Sequence, residues 1–92
     1  MGYRVDISAD AEKDILAYKK AGNKIAIAKI SRILEELEIN PRMGIGKPEQ
    51  MKHKKTELWA RRIDKKNRMT YEINENIVTV FVISAAGHYD DK

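Results

Sequence analysis

At the start of the chain Tyr3, Val5 and Ile7 are separated by Arg4, Asp6 and Ser8, the period of two that predicts a half-buried strand. Ser8 closes this alternation and can cap a helix, because its hydroxyl can accept a bond from one of the N–H groups a helix leaves unpaired. Asp10, Glu12 and Asp14 then fall in the first turns, where the helix dipole favours anions. Ala11, Ile15 and Tyr18 recur at helical spacing, and Lys19 and Lys20 precede a stop at Ala21-Gly22. Asn23 is the next cap. Ile27, Ile30, Leu34 and Leu37, with Ile33 beside them, predict an amphipathic helix running to about Asn40 and ended by Pro41 and Gly44. The Gly22-Asn23 link is short enough to fold the two helices into an antiparallel hairpin.

Residues 41–50 read as a Gly/Pro-rich loop. Beyond it three strands are predicted, Leu58 to Asp64, Arg68 to Ile73 and Ile77 to Ser84, with a short strand near Met51 to Lys54 before them. The turns at Lys65-Lys66-Asn67 and Asn74-Glu75-Asn76 favour an antiparallel meander. The nearly continuous apolar run from Val78 to Ile83 predicts a central strand covered on both faces. The order strand, two helices, three strands defines an α+β domain spanning 1–92, a mainly antiparallel sheet covered by a helical hairpin.

Composition narrows the classes. At 92 residues the chain makes one domain. Without cysteine it has neither disulfides nor thiolate metal sites. No apolar run approaches the ~20 residues of a membrane span, and no apolar signal core follows the first residues, so a cytoplasmic protein with no membrane partner is expected. The net charge of +4 is unevenly spread. Residues 42–68 hold ten of the 18 basic residues and three of the 14 acids, a local balance of +7 against −3 elsewhere. Such a stretch attracts a polyanion, although solvated charge on an ordinary face would read the same way.

Several polar residues exceed what the fold requires: Glu49 in the loop, then Lys52 and His53; Arg61-Arg62 beside Trp59; Arg68 opening a strand; and His88-Tyr89 after the last strand. Two histidines without an HExxH pair do not make a zinc site. No serine sits in a nucleophile elbow, and Gly44-Ile45-Gly46-Lys47 is too short for a P-loop. An acid, a histidine and several arginines remain. They suit RNA cleavage through the substrate's own 2′-hydroxyl, which needs a base, an acid and cations around phosphorus, and no metal or cofactor. Charge alone would equally support a non-catalytic nucleic-acid-binding module or corepressor.

Four segments in order resemble one family. Gly44 to His53 resembles its "GxGKPEPLKH" loop, Trp59-Ala60-Arg61-Arg62-Ile63 its "WSRRI" strand, Asn67-Arg68-Met69-Thr70-Tyr71 its "HRLVY" strand, and Gly87-His88-Tyr89 its terminal "HY". The chain is thereby identified as similar to the YoeB/Txe branch of the RelE/ParE toxins. Ala60, Asn67 and Gln50 depart from the usual Ser, His and Pro without removing a catalytic candidate.

The resemblance implies a RelE-like fold and a toxin–antitoxin endoribonuclease that cuts mRNA in the ribosomal A site. It implies Glu49 as general base, Arg68 as the phosphate-stabilising cation, His88 as general acid and Tyr89 as the aromatic that positions the nucleotide. Lys52, His53 and Arg62 would line the site or hold RNA. Trp59 is assigned to sheet packing and Arg61 to the general basic surface. The implied partners are a YefM/Axe-type antitoxin and, through the complex, operator DNA; monomer and homodimer both stay open. A ParE-like gyrase inhibitor is the related alternative, and the Glu49/Arg68/His88/Tyr89 set argues against it. Where many relatives end, Asp90, Asp91 and Lys92 follow. The two carboxylates are expected to favour protonated His88, so truncation after Tyr89 should lower the basic limb of a pH–rate profile. An unchanged limb would remove that role.

Overall fold

The computed structural model describes residues 2–52 and 56–84. It consists of β1 (Arg4–Ile7), α1 (Ala9–Lys20), α2 (Lys24–Ile39), β2 (Glu49–Met51), β3 (Glu57–Arg62), β4 (Arg68–Asn74) and β5 (Ile77–Ser84). Both helices start on the caps expected from sequence. Ser8 Oγ accepts from the Ala11 N–H at 3.1 Å, and Asn23 Oδ1 accepts from the Ala26 N–H at 3.1 Å. Gly22, at φ +71°, turns the chain between the helices in the left-handed conformation that glycine tolerates.

The strands form one sheet in the order β1-β5-β4-β3-β2. The three long neighbours pair antiparallel as a meander, and β1 lies parallel to β5, with Val5 beside Val78 and Ile7 beside Val80. The helical hairpin covers one face. Ala26, Ile30, Ile33 and Leu37 of α2 and Ala11 of α1 pack there against Met69, Tyr71, Ile73, Val78, Val80 and Ile83. Ile27 and Leu34, expected within the α2 stripe, lie at its half-buried margins.

Two expectations are corrected. First, β5 is interior, flanked by β1 and β4, but among its residues with described side chains only the helix-side Val78, Val80 and Ile83 are fully buried; Thr79 and Phe81 within the run, and Ile77 before it, are half-buried. Its apolar character reflects β-propensity as well as burial. Second, residues 41–50 are not all loop. Pairing with β3 draws Glu49 and Gln50 into an edge strand that starts earlier than Met51.

A bulge interrupts β5. Tyr71 opposes Val80 and Thr70 opposes Val82, which leaves Phe81 as the extra residue. Helix α1 satisfies the backbone groups nearby: Ser8 Oγ donates to the Phe81 carbonyl at 2.8 Å, and the Ile83 N–H donates to Asp14 Oδ2 at 2.9 Å. The last described turn of β5 is thereby fixed to the helix layer.

Candidate active site

Cross-strand partners in a sheet share a face, so the register assigns the functional side chains. Glu49 on β2 opposes Ala60 on β3, which opposes Thr70 on β4. Two residues along, Arg62 opposes Arg68, which opposes Ser84 on β5. Glu49, Ala60, Thr70, Arg62 and Arg68 lie on the face away from the helices. Leu58, Ala60 and Thr70 are buried yet lie outside the helix-side core. Ala60 and Thr70 thus make a floor of small side chains, bounded by the exposed carboxylate of Glu49 on one side and the exposed guanidiniums of Arg62 and Arg68 on another. Two strand spacings and two residues of rise separate Glu49 from Arg68 by roughly 12 Å between Cα atoms, a span their side chains can narrow to one phosphodiester. Neither arginine forms an ion pair with a described residue, and neither does Glu49. Lys52 is exposed directly after β2. His53, His88 and Tyr89 lie outside the described residues.

The other arginines of the basic stretch do different work. Arg61 was expected on the basic surface and is instead 0% exposed. Its position shares the parity of Trp59 and Ile63, both turned to the helix side, and that alternation is the signal that could have found it. Burial is tolerable because every donor is matched. Nε donates to the Tyr71 hydroxyl at 3.0 Å, Nη1 to Glu36 Oε1 at 2.7 Å, and Nη2 to the Met43 carbonyl at 2.8 Å. Trp59 is half-buried against the core, as expected, and its indole N–H donates to Glu57 at 2.8 Å.

Arg42 grips the same Glu57 with both prongs, at 2.6 and 2.9 Å, and reaches the Tyr3 hydroxyl at 3.0 Å. These bonds hold the Glu57 carboxyl below the usual carboxylate range, Arg42 contributing most and Trp59 adding to it, and they raise the Arg42 pKa in turn. A depressed folded-state pKa stabilises the fold above the ordinary carboxylate pKa, and that contribution fades as pH falls through the depressed value. Glu57→Gln is therefore expected to lower the thermal midpoint at neutral pH, with the two proteins converging in acid. A gap that stays constant down to the lowest pH would show that the ion pair contributes nothing. With Arg42 and Arg61 engaged internally, the outward cations on described residues of this region are Lys47, Lys52, Arg62, Lys65, Lys66 and Arg68.

Among the described residues no group of three or more His, Asp or Glu side chains gathers as metal ligands would, and no helix is long and apolar enough to cross a membrane.

A helical hairpin on one face of a five-stranded sheet, with acid and arginines on the other, defines a small α+β toxin of the YoeB/RelE fold. The YoeB dimer from Staphylococcus aureus superposes with a TM-score of 0.77 at 26% identity, over 89% of this chain and 94% of that one. A YoeB–YefM complex from the same organism superposes with a TM-score of 0.75 at 28% identity and the same coverage. Toxin YoeB of Mycobacterium bovis is 35% identical over 85 residues, 92% of this chain and 96% of that protein. The family model for the YoeB-like toxin of bacterial type II toxin-antitoxin system matches residues 7–89. The chain belongs to this YoeB toxin family.

Proposed function

We propose that this toxin is an endoribonuclease that cuts mRNA in the ribosomal A site and so stops translation. The observation that carries the reading is the placement of Glu49, Arg62 and Arg68 on the sheet face away from the helices, around the small-residue floor of Ala60 and Thr70. A carboxylate and a guanidinium on either side of a phosphodiester are what 2′-hydroxyl attack requires. Glu49 removes the 2′ proton, the 2′ oxygen bonds to phosphorus, and the bond from phosphorus to the 5′ oxygen breaks. Arg68 offsets the charge that builds on the non-bridging oxygens. His88 gives its proton to the departing 5′ oxygen, and Tyr89 positions the nucleotide. The products are a 2′,3′-cyclic phosphate and a 5′-hydroxyl, and the nucleophile comes from the RNA. Ser84 pairs with Arg68 in the register, and four residues can span at most about 14 Å, a length that allows the proposed acid to serve the same phosphate.

Lys52, His53 and Arg62 hold the RNA, and the outward lysines dock the toxin on ribosomal RNA. A YefM-type antitoxin, as in the Staphylococcus aureus complexes, is the natural partner for so basic a face. An acidic segment that orders on binding would cover the site, and the complex would bind operator DNA. A homodimer, the state of the Staphylococcus aureus relative, is the assembly proposed for the free toxin.

The test is primer extension on one mRNA, with and without ribosomes, for the wild type and Glu49→Gln. Cleavage is expected only with ribosomes, and loss of the base should slow it about 10²–10⁴-fold. Equal cleavage by Glu49→Gln, or none by the wild type, would overturn the reading.

A further inference from the structure

The strand that turns Arg62 away from the helices turns Arg61 inward, and four of the six groups that accept from Arg61 belong to the segment that delivers Glu49. Its Nη1 donates to Glu36 Oε1 at 2.7 Å and to the Ile45 carbonyl at 3.3 Å. Its Nη2 reaches the carbonyls of Met43 at 2.8 Å, Pro41 at 3.2 Å and Asn40 at 3.5 Å. The groups it holds are themselves bonded to the same segment: Glu36 Oε1 accepts from the Ile45 N–H at 2.9 Å, and the Tyr71 hydroxyl donates to the Pro41 carbonyl at 2.7 Å. The next backbone group on β3, the Arg62 N–H, donates to the Gly46 carbonyl at 2.7 Å. Residues 40–46 are thus fixed from β3 and α2 before the chain passes Lys47, held at φ +51°, and Pro48 into β2.

Strand β2 is only three residues long and lies at the sheet edge. A slip of one residue in so short a strand would exchange its faces, placing Gln50 on the open side and Glu49 against the helix-side residues. Nothing in three edge residues resists that slip strongly. The clamp at residues 40–46 does, because it fixes the length of chain between α2 and the first pair of β2. A lysine could not replace it, since one ammonium lacks the planar fork that reaches a carboxylate and several carbonyls together. We infer that Arg61, paired with Glu36, is a positioning residue for the reaction: it sets the register that presents the Glu49 carboxylate, and not Gln50, beside Arg62 and Arg68. This inference rests on the nuclease reading above.

The test is a double-mutant cycle on cleavage of ribosome-bound mRNA, run below the melting temperature of each variant with the folded fraction checked by circular dichroism. Arg61→Lys is expected to lower kcat roughly tenfold or more while leaving KM within about twofold. In a Glu49→Gln background the same change should alter the residual kcat by less than about twofold, because a residue acting through Glu49 has no effect once the carboxylate is gone. If Arg61→Lys is unfolded at the assay temperature, Glu36→Gln supplies the same cycle, since it keeps an oxygen acceptor and removes the charge. Equal losses of kcat in both backgrounds, or no loss in either, would overturn the positioning role while leaving the nuclease reading intact. Full activity of Glu49→Gln alone would instead remove the nuclease assignment itself.

Discussion

Replacing Arg68 by glutamine is expected to slow mRNA cleavage by about 10²–10³-fold and, at the same time, to leave the protein at least as stable as the wild type. The two effects have one origin. Arg62 and Arg68 are direct cross-strand partners on the open face, and neither has an ion-pair partner among the described residues. Like charges placed opposite one another in a sheet disfavour the fold by roughly 0.2–1 kcal/mol, so neutralising either should recover part of that. The same unpaired guanidiniums are ready to meet a phosphate that gains negative charge as the 2′ oxygen attacks, and the forked geometry matches two phosphoryl oxygens together. Arg68→Lys keeps the charge without the fork and should retain an intermediate rate. Arg62→Gln, at the rim, should act more on KM and flatten the salt dependence of RNA binding. Single-turnover cleavage and urea denaturation on the same preparations check both halves. A rate loss accompanied by clear destabilisation would mean that Arg68 supports the fold and not the phosphate.

The same tension between folding and function marks how far the sequence could be read. The caps at Ser8 and Asn23, the two helices and the meander from Leu58 to Ser84 rest on local signals, namely periodicity, capping chemistry and short turns, and each is found where those signals put it. Non-local pairing is another matter. The parallel match of β1 to β5 joins residues more than seventy positions apart, and no local pattern specifies it. The short strand at Glu49 exists only because β3 offers an edge, so its residues look like loop until that partner is known.

The site shows the same division. The residue types at Glu49, Arg62 and Arg68 were visible, but their common face follows from the register of three strands. Arg61 reads as surface in the sequence because adjacent arginines in a basic stretch suggest solvated charge. Its burial depends on Glu36, twenty-five positions earlier, and on carbonyls of a turn whose shape cannot be read from propensity. Strand parity with Trp59 and Ile63 pointed inward, and parity was the better guide.

That buried arrangement makes Gly44 a position where a single added methyl group should be felt. Gly44 sits at φ +139°, and a Cβ there would fall on the Glu36 carboxylate and lie 2.7 Å from Arg61 Nη1. Alanine can enter only if the Glu36 carboxylate shifts, because Arg61 is fully buried, and that shift weakens the guanidinium's contact with its counter-charge. Complete loss of such a buried pair costs about 3–5 kcal/mol, which sets the upper bound here because the Glu36 side chain is partly exposed. Gly22 is the internal control. It also has a positive φ, +71°, but nothing lies within 4 Å of its added Cβ, so Gly22→Ala should cost only the roughly 1–2 kcal/mol of an unfavourable backbone conformation. Urea denaturation of both variants is expected to give unchanged slopes and a midpoint for Gly44→Ala well below that of Gly22→Ala. The excess loss combines the displaced ion pair with the greater backbone strain of alanine at φ +139°. Similar midpoints for the two alanine variants would mean that residues 40–46 move aside without losing the Arg61–Glu36 contact, and that the clamp is softer than its hydrogen bonds suggest.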